Sequence, residues 1–355
     1  MKVLYFGTFD PGYGRNRVIA KGLKDNDFQV VFCNGGVSGG IKKFLRLAWR
    51  YMRLPHKHFD VILVAFPAQE VMLLAGILFF FKRNKTPIVA DMLTSHYDGY
   101  ILDRKKYSQN SWHATWYRWI DRVAIGLADY AIVESDANKK FFVEELNVRV
   151  DKLLTVSIGA DDSIMKPTSV DSKNANKFLV HFHGKFIPHQ GIGSIIKAAN
   201  LLKKENISFQ IIGRGQDYAL YRNMEVANIT WIDPVPYEQL PDFINKADVC
   251  LGPMGGTDHF HRCVPNKIYE YMACGRPIIV GRSKALEGIA DDGTNMLLVN
   301  PADENDLAQK ILLLKNDTSL RSRLGENARI DFLRLHTPQK IVANFFEILR
   351  KLWKF

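Results

Sequence analysis

The sequence has few cysteines and no long hydrophobic run, and both absences limit the kind of protein it can encode. Its four cysteines are far apart and form no C-x-x-C or Cys/His metal spacing: Cys33, Cys250, Cys263 and Cys274. We expect reduced thiols in a cytosolic protein rather than a disulfide framework. The longest apolar run, Val71–Phe81, has 11 residues, whereas a membrane-spanning helix needs about 20. No transmembrane helix is expected.

Repeats and low-complexity segments are also missing. The first ten residues, MKVLYFGTFD, enter a strand pattern at once, so we expect no signal peptide. The chain has 355 residues, of which 47% are hydrophobic and 24% charged. This length and composition are typical of a folded protein with two domains, each burying its own core.

Positive charge is in excess, with 48 Lys and Arg against 37 Asp and Glu, a net charge of +11. Residues 41–58 read IKKFLRLAWRYMRLPHKH, in which basic and apolar residues interleave. This composition favours a helix lying on an anionic membrane surface. An ordinary domain helix with a solvated basic face is the alternative. No nucleic-acid-binding motif accompanies the charge, so nucleic acid is not expected as a partner.

Short apolar runs alternate with helix-length amphipathic segments along the chain. The runs are VLYFG, QVVFC, VILVAF, PIVADML, YAIVES and KLLTVS, then FLVHFHG, FQIIG, ITWID, DVCLGP, RPIIVG and NMLLVN. This alternation predicts an α/β fold of two Rossmann-like halves with parallel sheets. The predicted boundaries are a first domain at 1–160, a polar linker at 161–176, a second domain at 177–335 and a last helix at 336–355.

Residues 252–279 contain a glycine-bearing loop, a helix and a short apolar strand. Pro265 suits the first helical turn, because its φ is already helical and its missing N–H would lack a partner there. Asn266, Lys267 and Glu270 then lie on one polar face. A carboxylate such as Glu270 could accept hydrogen bonds from two neighbouring hydroxyls, as on a ribose.

The start of this helix has the features of a phosphate site. Its free N–H groups and partial positive charge attract anions, and Arg262, Lys267 and the flexible pair Gly255-Gly256 lie beside it. The segment therefore suggests a nucleoside diphosphate site. A solvated polar face on an amphipathic helix explains the same residues equally well.

The segment PNKIYEYMACGRPII resembles the signature of GT-B glycosyltransferases similar to glycosyltransferase family 4. The resemblance implies a retaining, nucleotide-sugar-dependent enzyme with two Rossmann-like domains facing across a cleft. It also implies that the last helix crosses back to the first domain. On this basis Glu270 contacts the donor ribose.

Further stretches of the second half resemble family motifs in the same order. IIGRGQ resembles the strand end that carries Gly215, and DPVPYEQLP resembles the segment in which Pro236 and Tyr237 meet the base. The resemblance implies a set of donor-binding residues: Gly12, Gly184, Gln190, Gly215, Pro236, Tyr237, Gly256, Thr257, Asn266 and Glu270. We expect mainly electrostatic catalysis, in which Lys185, Arg262 and Lys267 stabilise the charge on the departing diphosphate.

Two positions depart from the family pattern. The motif G-R-x-x-x-x-K-G becomes Gly184-Lys185 followed by Gln190, so one of its two cations is lost. The first Glu of E-x₇-E is replaced by Arg262. We expect Arg262 or Lys267 to supply the missing positive charge.

Candidate acceptor residues lie in the first half. The loop GTFDPGYGRNR carries Tyr13, Asn16 and Arg17, and its glycine spacing disfavours a nicotinamide dinucleotide. Asp91 and His96 follow a predicted strand. The aromatic cluster in SWHATWYRWI is predicted to pack in the core, with the lining of an acceptor groove as the alternative. Asp25-Asn26-Asp27 matches the D-x-D of metal-dependent transferases but lies in a polar turn, so no metal or other cofactor is expected.

These patterns predict a retaining glycosyltransferase that acts on a nucleotide diphosphate sugar and a lipid-linked or oligosaccharide acceptor. The expected location is cytoplasmic, peripherally associated with the inner face of the cell membrane. Two alternatives remain open. One is a nucleotide-sugar epimerase or hydrolase on the same fold, and the other is a non-catalytic protein that binds a membrane surface.

Overall fold

A computed structural model describes residues 1–55, 58–80, 86–168, 177–224 and 226–353. The chain divides into two compact units. Unit 1 comprises Met1–Ile158 with Pro338–Phe355, and unit 2 comprises Gly159–Thr337. The second half of the predicted linker, 169–176, lies outside the described residues. Among those residues, no helix combines the length and apolar character needed to cross a membrane.

Unit 1 is built on a six-stranded parallel sheet. Its strands are β1 (Lys2–Gly7), β2 (Gln29–Asn34), β3 (Val61–Val64), β4 (Ile88–Leu93), β5 (Tyr130–Val133) and β6 (Leu153–Thr155). Their spatial order is β2-β1-β3-β4-β5-β6. Four-residue runs such as β3 are buried throughout, as expected for a sheet covered on both faces.

Helices cover both faces of this sheet. They are α1 (Gly14–Asp25), α2 (Lys42–Met52), α3 (Val71–Leu78), α4 (Trp112–Leu127), α5 (Asp136–Glu144) and α12 (Pro338–Trp353). Residues of α2, α3, α4 and α5 share one core cluster with the sheet. Helices α1 and α12 share the cluster on the opposite face. The closing helix therefore belongs structurally to unit 1.

The outer surface of α2 is more apolar than expected. The exposed side chains Ile41, Leu45, Trp49 and Met52 lie at i, i+4, i+8 and i+11, on one side of the helix. Two of the four cations of α2 point back to the unit: Arg46 donates to the carbonyl of Gly35, and Arg50 to that of Asn34. This surface of α2 is therefore an exposed apolar stripe and not only the solvated basic face of the alternative interpretation.

The aromatic residues of α4 are not packed in the core, which corrects the prediction for this cluster. Trp112, Trp116 and Trp119 are exposed, and only the ring of Tyr117 packs partly against the core. Helix α3 packs beside both α2 and α4 and leaves Ile77 exposed. Three neighbouring helices of one layer thus carry exposed apolar side chains.

Unit 2 has a second six-stranded parallel sheet. Its strands are β7 (Phe178–His183), β8 (Ile207–Ile212), β9 (Ile229–Ile232), β10 (Val249–Leu251), β11 (Ile278–Gly281) and β12 (Leu297–Val299), in the order β12-β11-β10-β7-β8-β9. Its helices are α6 (Ile192–Leu201), α7 (Tyr218–Arg222), α8 (Leu240–Lys246), α9 (Asn266–Ala273), α10 (Glu304–Asn316) and α11 (Thr318–Asp331). The predicted α/β class with two parallel sheets is confirmed.

The strand order of unit 2 fixes where a ligand site can form. Strand β7 lies between β8 and β10, so the chain leaves β7 and β10 in opposite directions. Open parallel sheets bind ligands at the carboxyl ends of the strands at such a switch point. The loop after β7 and the loop between β10 and α9 meet there.

Candidate active site

Two loops of unit 2 pack with no space between their backbones. Gly191 adopts φ +68°, and a Cβ on it would lie 2.4 Å from the carbonyl carbon of Met254. A Cβ on Gly255 would lie 2.4 Å from the carbonyl oxygen of His189. The Met254 amide donates to the Gln190 carbonyl at 3.0 Å. The turn Pro188–Gln190 and the loop after β10 therefore hold each other in register.

Helix α9 begins against these loops. Pro265 stands one residue before the helix in an extended conformation, and no side chain caps the first turn. The first-turn N–H groups are thus left to other acceptors. Every residue from Lys267 to Ala273 is buried. The helix has no solvated face from Lys267 onwards, so the alternative of an ordinary amphipathic helix is wrong.

Lys267 is a buried cation beside the glycine turn. Its Nζ donates to Oε1 of Gln190 and lies 4.1 Å from the centre of the Phe182 ring. A Cβ on Gly184 would lie 2.5 Å from Nζ, and Gly184 has φ +150°. Burial lowers the pKa of Lys267 to about 7, although the nearby Glu270 and Cys263 act to raise it. The amine can therefore gain or lose its proton near neutral pH.

Glu270 lies one turn further along α9 and is also buried. Its Oε2 lies 2.7 Å from Nε2 of His183, at the end of β7. The backbone N–H of His183 donates to the Tyr271 hydroxyl at 3.3 Å. Buried carboxylates are uncommon unless they are hydrogen bonded. His183 satisfies one oxygen of Glu270 and holds the carboxylate in a fixed orientation.

A chain of hydrogen bonds continues from His183 into the sheet. Nδ1 of His183 lies 3.0 Å from Nε2 of His181, and Nδ1 of His181 lies 3.0 Å from Nε2 of Gln210. Gln210 also donates to the Phe243 carbonyl at 2.9 Å. Burial holds the pKa of His181 well below its ordinary value, so this ring is neutral.

The direction of this chain follows from its two ends. The Gln210 amide nitrogen can only donate, so His181 accepts at Nδ1 and donates from Nε2. His183 then accepts at Nδ1 and donates from Nε2 to Glu270. Every group has a partner of the correct type with both rings neutral. The arrangement assigns one tautomer to each histidine.

The other predicted residues of unit 2 differ in burial. Lys185 is exposed on the loop after β7, and Arg262 and Asn266 are half-buried. Gly215 packs on the backbone of Phe186, where a Cβ would lie 2.4 Å from its carbonyl oxygen. Thr257 accepts from the Phe260 amide at 3.3 Å.

Three further donor candidates lie on surface segments of unit 2. Gly256 is exposed, and a Cβ on it would contact only the Cβ of Ala302, at 3.6 Å. Pro236 precedes the turn Tyr237–Gln239. The Tyr237 hydroxyl accepts from the Asp161 amide at 3.5 Å. The donor roles of these residues stay predictions.

In unit 1 the predicted residue Asp91 is paired with Arg15, a residue that the sequence analysis missed. Its Nε donates to Oδ2 of Asp91 at 2.7 Å, and Nη1 donates to the carbonyls of Val156 and Ser157. Arg15 and Asp91 are both fully buried. Burial raises the pKa of Asp91, and Arg15 opposes that rise. Asp91 thus lies within β4 and not after it, which corrects the prediction of its position, and Arg15 links it to the segment that follows β6.

Most of the predicted loop residues around Arg15 contact neighbouring residues of unit 1. Asn16 is buried; it accepts from the Tyr5 hydroxyl at 3.0 Å and donates to the Phe66 carbonyl at 2.8 Å. The Tyr13 ring stacks on Phe66 with 5.1 Å between ring centres. Gly12 is exposed, and its amide donates to Asp10 at 2.8 Å. Arg17 is half-buried.

His96 precedes a segment of π-helix, Tyr97–Asp103. Burial and the charge of Arg104 lower the pKa of His96 to about 4. Its backbone amide and that of Tyr97 donate to the buried carboxylate of Asp121. The neutral imidazole lies edge-on to Tyr100. The acceptor roles of Asp91 and His96 stay predictions.

The family model for glycosyl transferases group 1 matches residues 177–317. This span includes both loops, the His183–Glu270 pair and Lys267. The greater part of unit 2 is therefore similar to the group 1 glycosyltransferases. The predicted resemblance is confirmed at this level, and assignment to family 4 stays a prediction.

Curated relatives of this chain cover both units in part. It is 26% identical over 242 residues to an uncharacterized glycosyltransferase of Methanocaldococcus jannaschii, which is 63% of this chain and 66% of that protein. It is 22% identical over 225 residues to the N,N'-diacetylbacillosaminyl-diphospho-undecaprenol alpha-1,3-N-acetylgalactosaminyltransferase of Campylobacter jejuni, which is 60% of this chain and 58% of that enzyme. The chain thus matches less than two thirds of the length of these relatives.

Solved structures show the same fold. Anabaena HepE in complex with UDP matches with a TM-score of 0.73 at 18% identity, over 99% of this chain and 100% of that chain. The chain therefore has the GT-B fold.

Proposed function

We propose that the protein is a retaining glycosyltransferase that transfers a sugar from a nucleoside diphosphate sugar to an acceptor. The observation that carries the proposal is the burial of Lys267 and Glu270 on the first turns of α9, within a group 1 glycosyltransferase domain. Charged residues are seldom buried without a partner or a ligand. Both are placed where a parallel sheet binds its ligands.

The donor would use this site in two parts. Glu270 would accept hydrogen bonds from the two ribose hydroxyls, with its orientation fixed by His183. The diphosphate would lie against Lys267, Gln190 and the uncapped N–H groups of α9. Anabaena HepE has been solved with UDP and with UDP-glucose. Uridine nucleotides are therefore the first donors to test.

The chemistry would be mainly electrostatic. Cleavage of the sugar–phosphate bond leaves negative charge on the diphosphate, and positively charged groups that face this charge lower the barrier. Lys267 would supply a charge in a buried environment, where its effect is larger than in water. Lys185 and Arg262 would add charge from the surrounding loops. We propose no covalent nucleophile.

A lipid-linked or oligosaccharide acceptor at the cytoplasmic face of the membrane completes the proposal. The curated name of the Campylobacter jejuni relative includes an undecaprenol-linked substrate. In unit 1 the exposed stripe of Ile41, Leu45, Trp49 and Met52 is flanked by Lys42, Lys43 and Arg53. Apolar side chains bordered by cations are the pattern by which helices lie on anionic lipid. The exposed tryptophans of α4 lie in the same helix layer.

A panel of nucleotides and nucleotide sugars would test the donor site. A ligand that binds only the folded protein raises its melting temperature. We expect one family of nucleoside diphosphates to stabilise the wild type and to lose this effect in Glu270→Ala. Stabilisation that is equal in the two proteins would contradict the proposed site.

Product analysis then separates transfer from its alternatives. Incubation with the stabilising nucleotide sugar and a lipid extract is expected to yield a glycosylated lipid with the anomeric configuration of the donor. Release of nucleotide with an altered or free sugar in the absence of acceptor would identify an epimerase or hydrolase. Nucleotide binding without turnover would identify a non-catalytic surface protein.

A further inference from the structure

Beside the donor site lies a cluster of soft metal ligands. His189, His259 and Cys263 each offer a ligand atom, and these atoms all lie within 4.8 Å of one another. Both histidines are buried, and Cys263 is half-buried. Ligand atoms around a tetrahedral zinc ion lie roughly 3.3–3.8 Å apart, given bonds of about 2.0–2.3 Å. Small side-chain rotations would close the site.

The backbone holds the three residues together independently of any ion. The Cys263 amide donates to the His259 carbonyl at 3.1 Å, so these two residues lie one helical turn apart on the same side. His189 comes from the turn after β7, which is fixed against Gly255 and Met254. The rings of His189 and His259 meet edge to face with centres 4.9 Å apart. The site is thus assembled from two loops of unit 2.

We infer that His189, His259 and Cys263 form a binding site for one Zn²⁺ ion, with a fourth position left for water or another ligand. Two imidazoles and one thiolate are a donor set that prefers zinc to hard cations such as Mg²⁺. The inference departs from the prediction of no metal, which rested on the absence of a recognisable Cys/His metal spacing. The spacing His259-x₃-Cys263 was present, but its third member lies 70 residues away.

The ion would be coupled to the Lys267 environment through Gln190. The Gln190 amide nitrogen lies 2.7 Å from Nε2 of His189, and its oxygen accepts from Lys267. Coordination through Nε2 displaces the amide from His189. Coordination through Nδ1 leaves a proton on Nε2, which then needs the amide oxygen as its acceptor. In both cases the Gln190 amide must exchange one of its hydrogen-bond partners.

Direct metal binding tests the site without any need for turnover. The full-length protein is stripped with a chelator and titrated with Zn²⁺ against a chromophoric competitor. One ion per chain is expected. Changes to residues that only hydrogen-bond to metal ligands weaken metal binding about 10- to 100-fold. Loss of a ligand itself, in Cys263→Ser or His259→Gln, should therefore weaken Zn²⁺ binding at least about 100-fold. The matched control is His261→Gln, on the same turn but outside the cluster, which should bind as the wild type does.

Two further measurements identify the ligands. Co²⁺ in place of Zn²⁺ should give a thiolate-to-metal charge-transfer band that is present in His261→Gln and absent in Cys263→Ser. In the wild type, Zn²⁺ should protect Cys263 from alkylation, a result that does not depend on the folding of any variant. Absence of stoichiometric binding, or unchanged alkylation of Cys263 with zinc bound, would overturn the inference. These outcomes are separate from failure of the proposed transfer, because none of them uses a nucleotide sugar.

Discussion

Nε2 of His183 lies 2.7 Å from Oε2 of Glu270, although 87 residues separate the two in the chain. The contact joins the end of β7 to the second turn of α9. The contact holds the buried carboxylate of Glu270 in one orientation, so that it can serve as a hydrogen-bond acceptor inside the domain. The proposed donor recognition therefore depends on a residue outside the expected site.

Replacement of Glu270 by Gln should weaken nucleotide binding. A hydrogen bond to a charged group contributes about 1.5–3 kcal/mol, which corresponds to roughly a 10- to 150-fold change in the dissociation constant. Isothermal titration with the stabilising nucleoside diphosphate measures it. Glu287→Gln, at an exposed position of the same unit, is the control and should bind normally. Equal affinities in the two variants would remove Glu270 from the donor site.

His183 is expected to act as a positioning residue. His183→Gln can still donate a hydrogen bond near the Glu270 carboxylate, whereas His183→Phe cannot. The Michaelis constant for the donor should rise about 10-fold more in His183→Phe than in His183→Gln, which is the effect of one hydrogen bond. The Michaelis constant for the acceptor should stay unchanged. If both constants rise together in both variants, the histidine serves only to stabilise the fold.

Donor binding should become coupled to proton uptake above neutral pH. The pKa of Lys267 is lowered to about 7, and a bound diphosphate would raise it. Binding at pH 8 should therefore take up close to one proton, and affinity should fall as pH rises from 7 to 9. Titration calorimetry in buffers of different ionisation enthalpy measures this uptake. Lys267→Met should bind more weakly and show little of the uptake.

The same pKa predicts how stability changes with pH. Between the folded pKa of about 7 and the ordinary value of 10.5, the unfolded chain binds the Lys267 proton and the folded chain does not. The free energy of unfolding should therefore rise with pH across this window, by up to about 1.4 kcal/mol per pH unit relative to Lys267→Met. Urea unfolding at pH 7, 8 and 9 measures it. A constant difference between the two proteins would show that the amine keeps an ordinary pKa.

Asp91 should prove more important for stability than for acceptor binding. Removal of one partner of a buried ion pair costs about 3–5 kcal/mol, so Asp91→Ala should lower the free energy of unfolding by this amount. Combining Arg15→Met with Asp91→Leu should recover most of the loss, because it leaves no unpaired charge. A variant Asp91→Asn with normal stability and no turnover would instead make Asp91 an acceptor residue.

The stripe on α2 should control binding to lipid vesicles. Burial of a large apolar side chain contributes about 1.5–3 kcal/mol, so Leu45→Ser with Trp49→Ser should weaken sedimentation with anionic vesicles at least 10-fold. The control is Leu313→Ser with Ile330→Ser, two exposed apolar residues of unit 2. Equal vesicle binding by the two double variants would contradict a membrane role for α2.

Most of the fold could be predicted because parallel strands leave a strong signal. Each of the twelve apolar runs overlaps a strand of the structure. Exposure could not be predicted in the same way. Trp112, Trp116 and Trp119 share one side of a helix, but spacing alone does not show whether another element covers that side.

The site was predicted in part for a similar reason. Lys267 and Glu270 stood out as charges beside a glycine loop and a helix start. His181 and His183 alternate with buried apolar residues in β7, and their meaning depends on which helix covers that face of the sheet. Arg15 was missed because periodicity along α1 does not identify which of the adjacent polar residues Arg15, Asn16 and Arg17 are buried.

Unit 1 is discontinuous in the chain, and this affects the order in which the protein can mature during synthesis. Helix α12 buries Ile341, Val342, Phe345, Phe346 and Leu349 on the face of the first sheet. It lies so close to α1 that a Cβ on Gly22 would be 2.2 Å from the Pro338 carbonyl oxygen. Domains usually fold as they leave the ribosome, beginning with the first. Here α12 must emerge from the ribosome before unit 1 can cover that face of its sheet. Unit 2 is synthesised before α12, so it can complete its own sheet earlier.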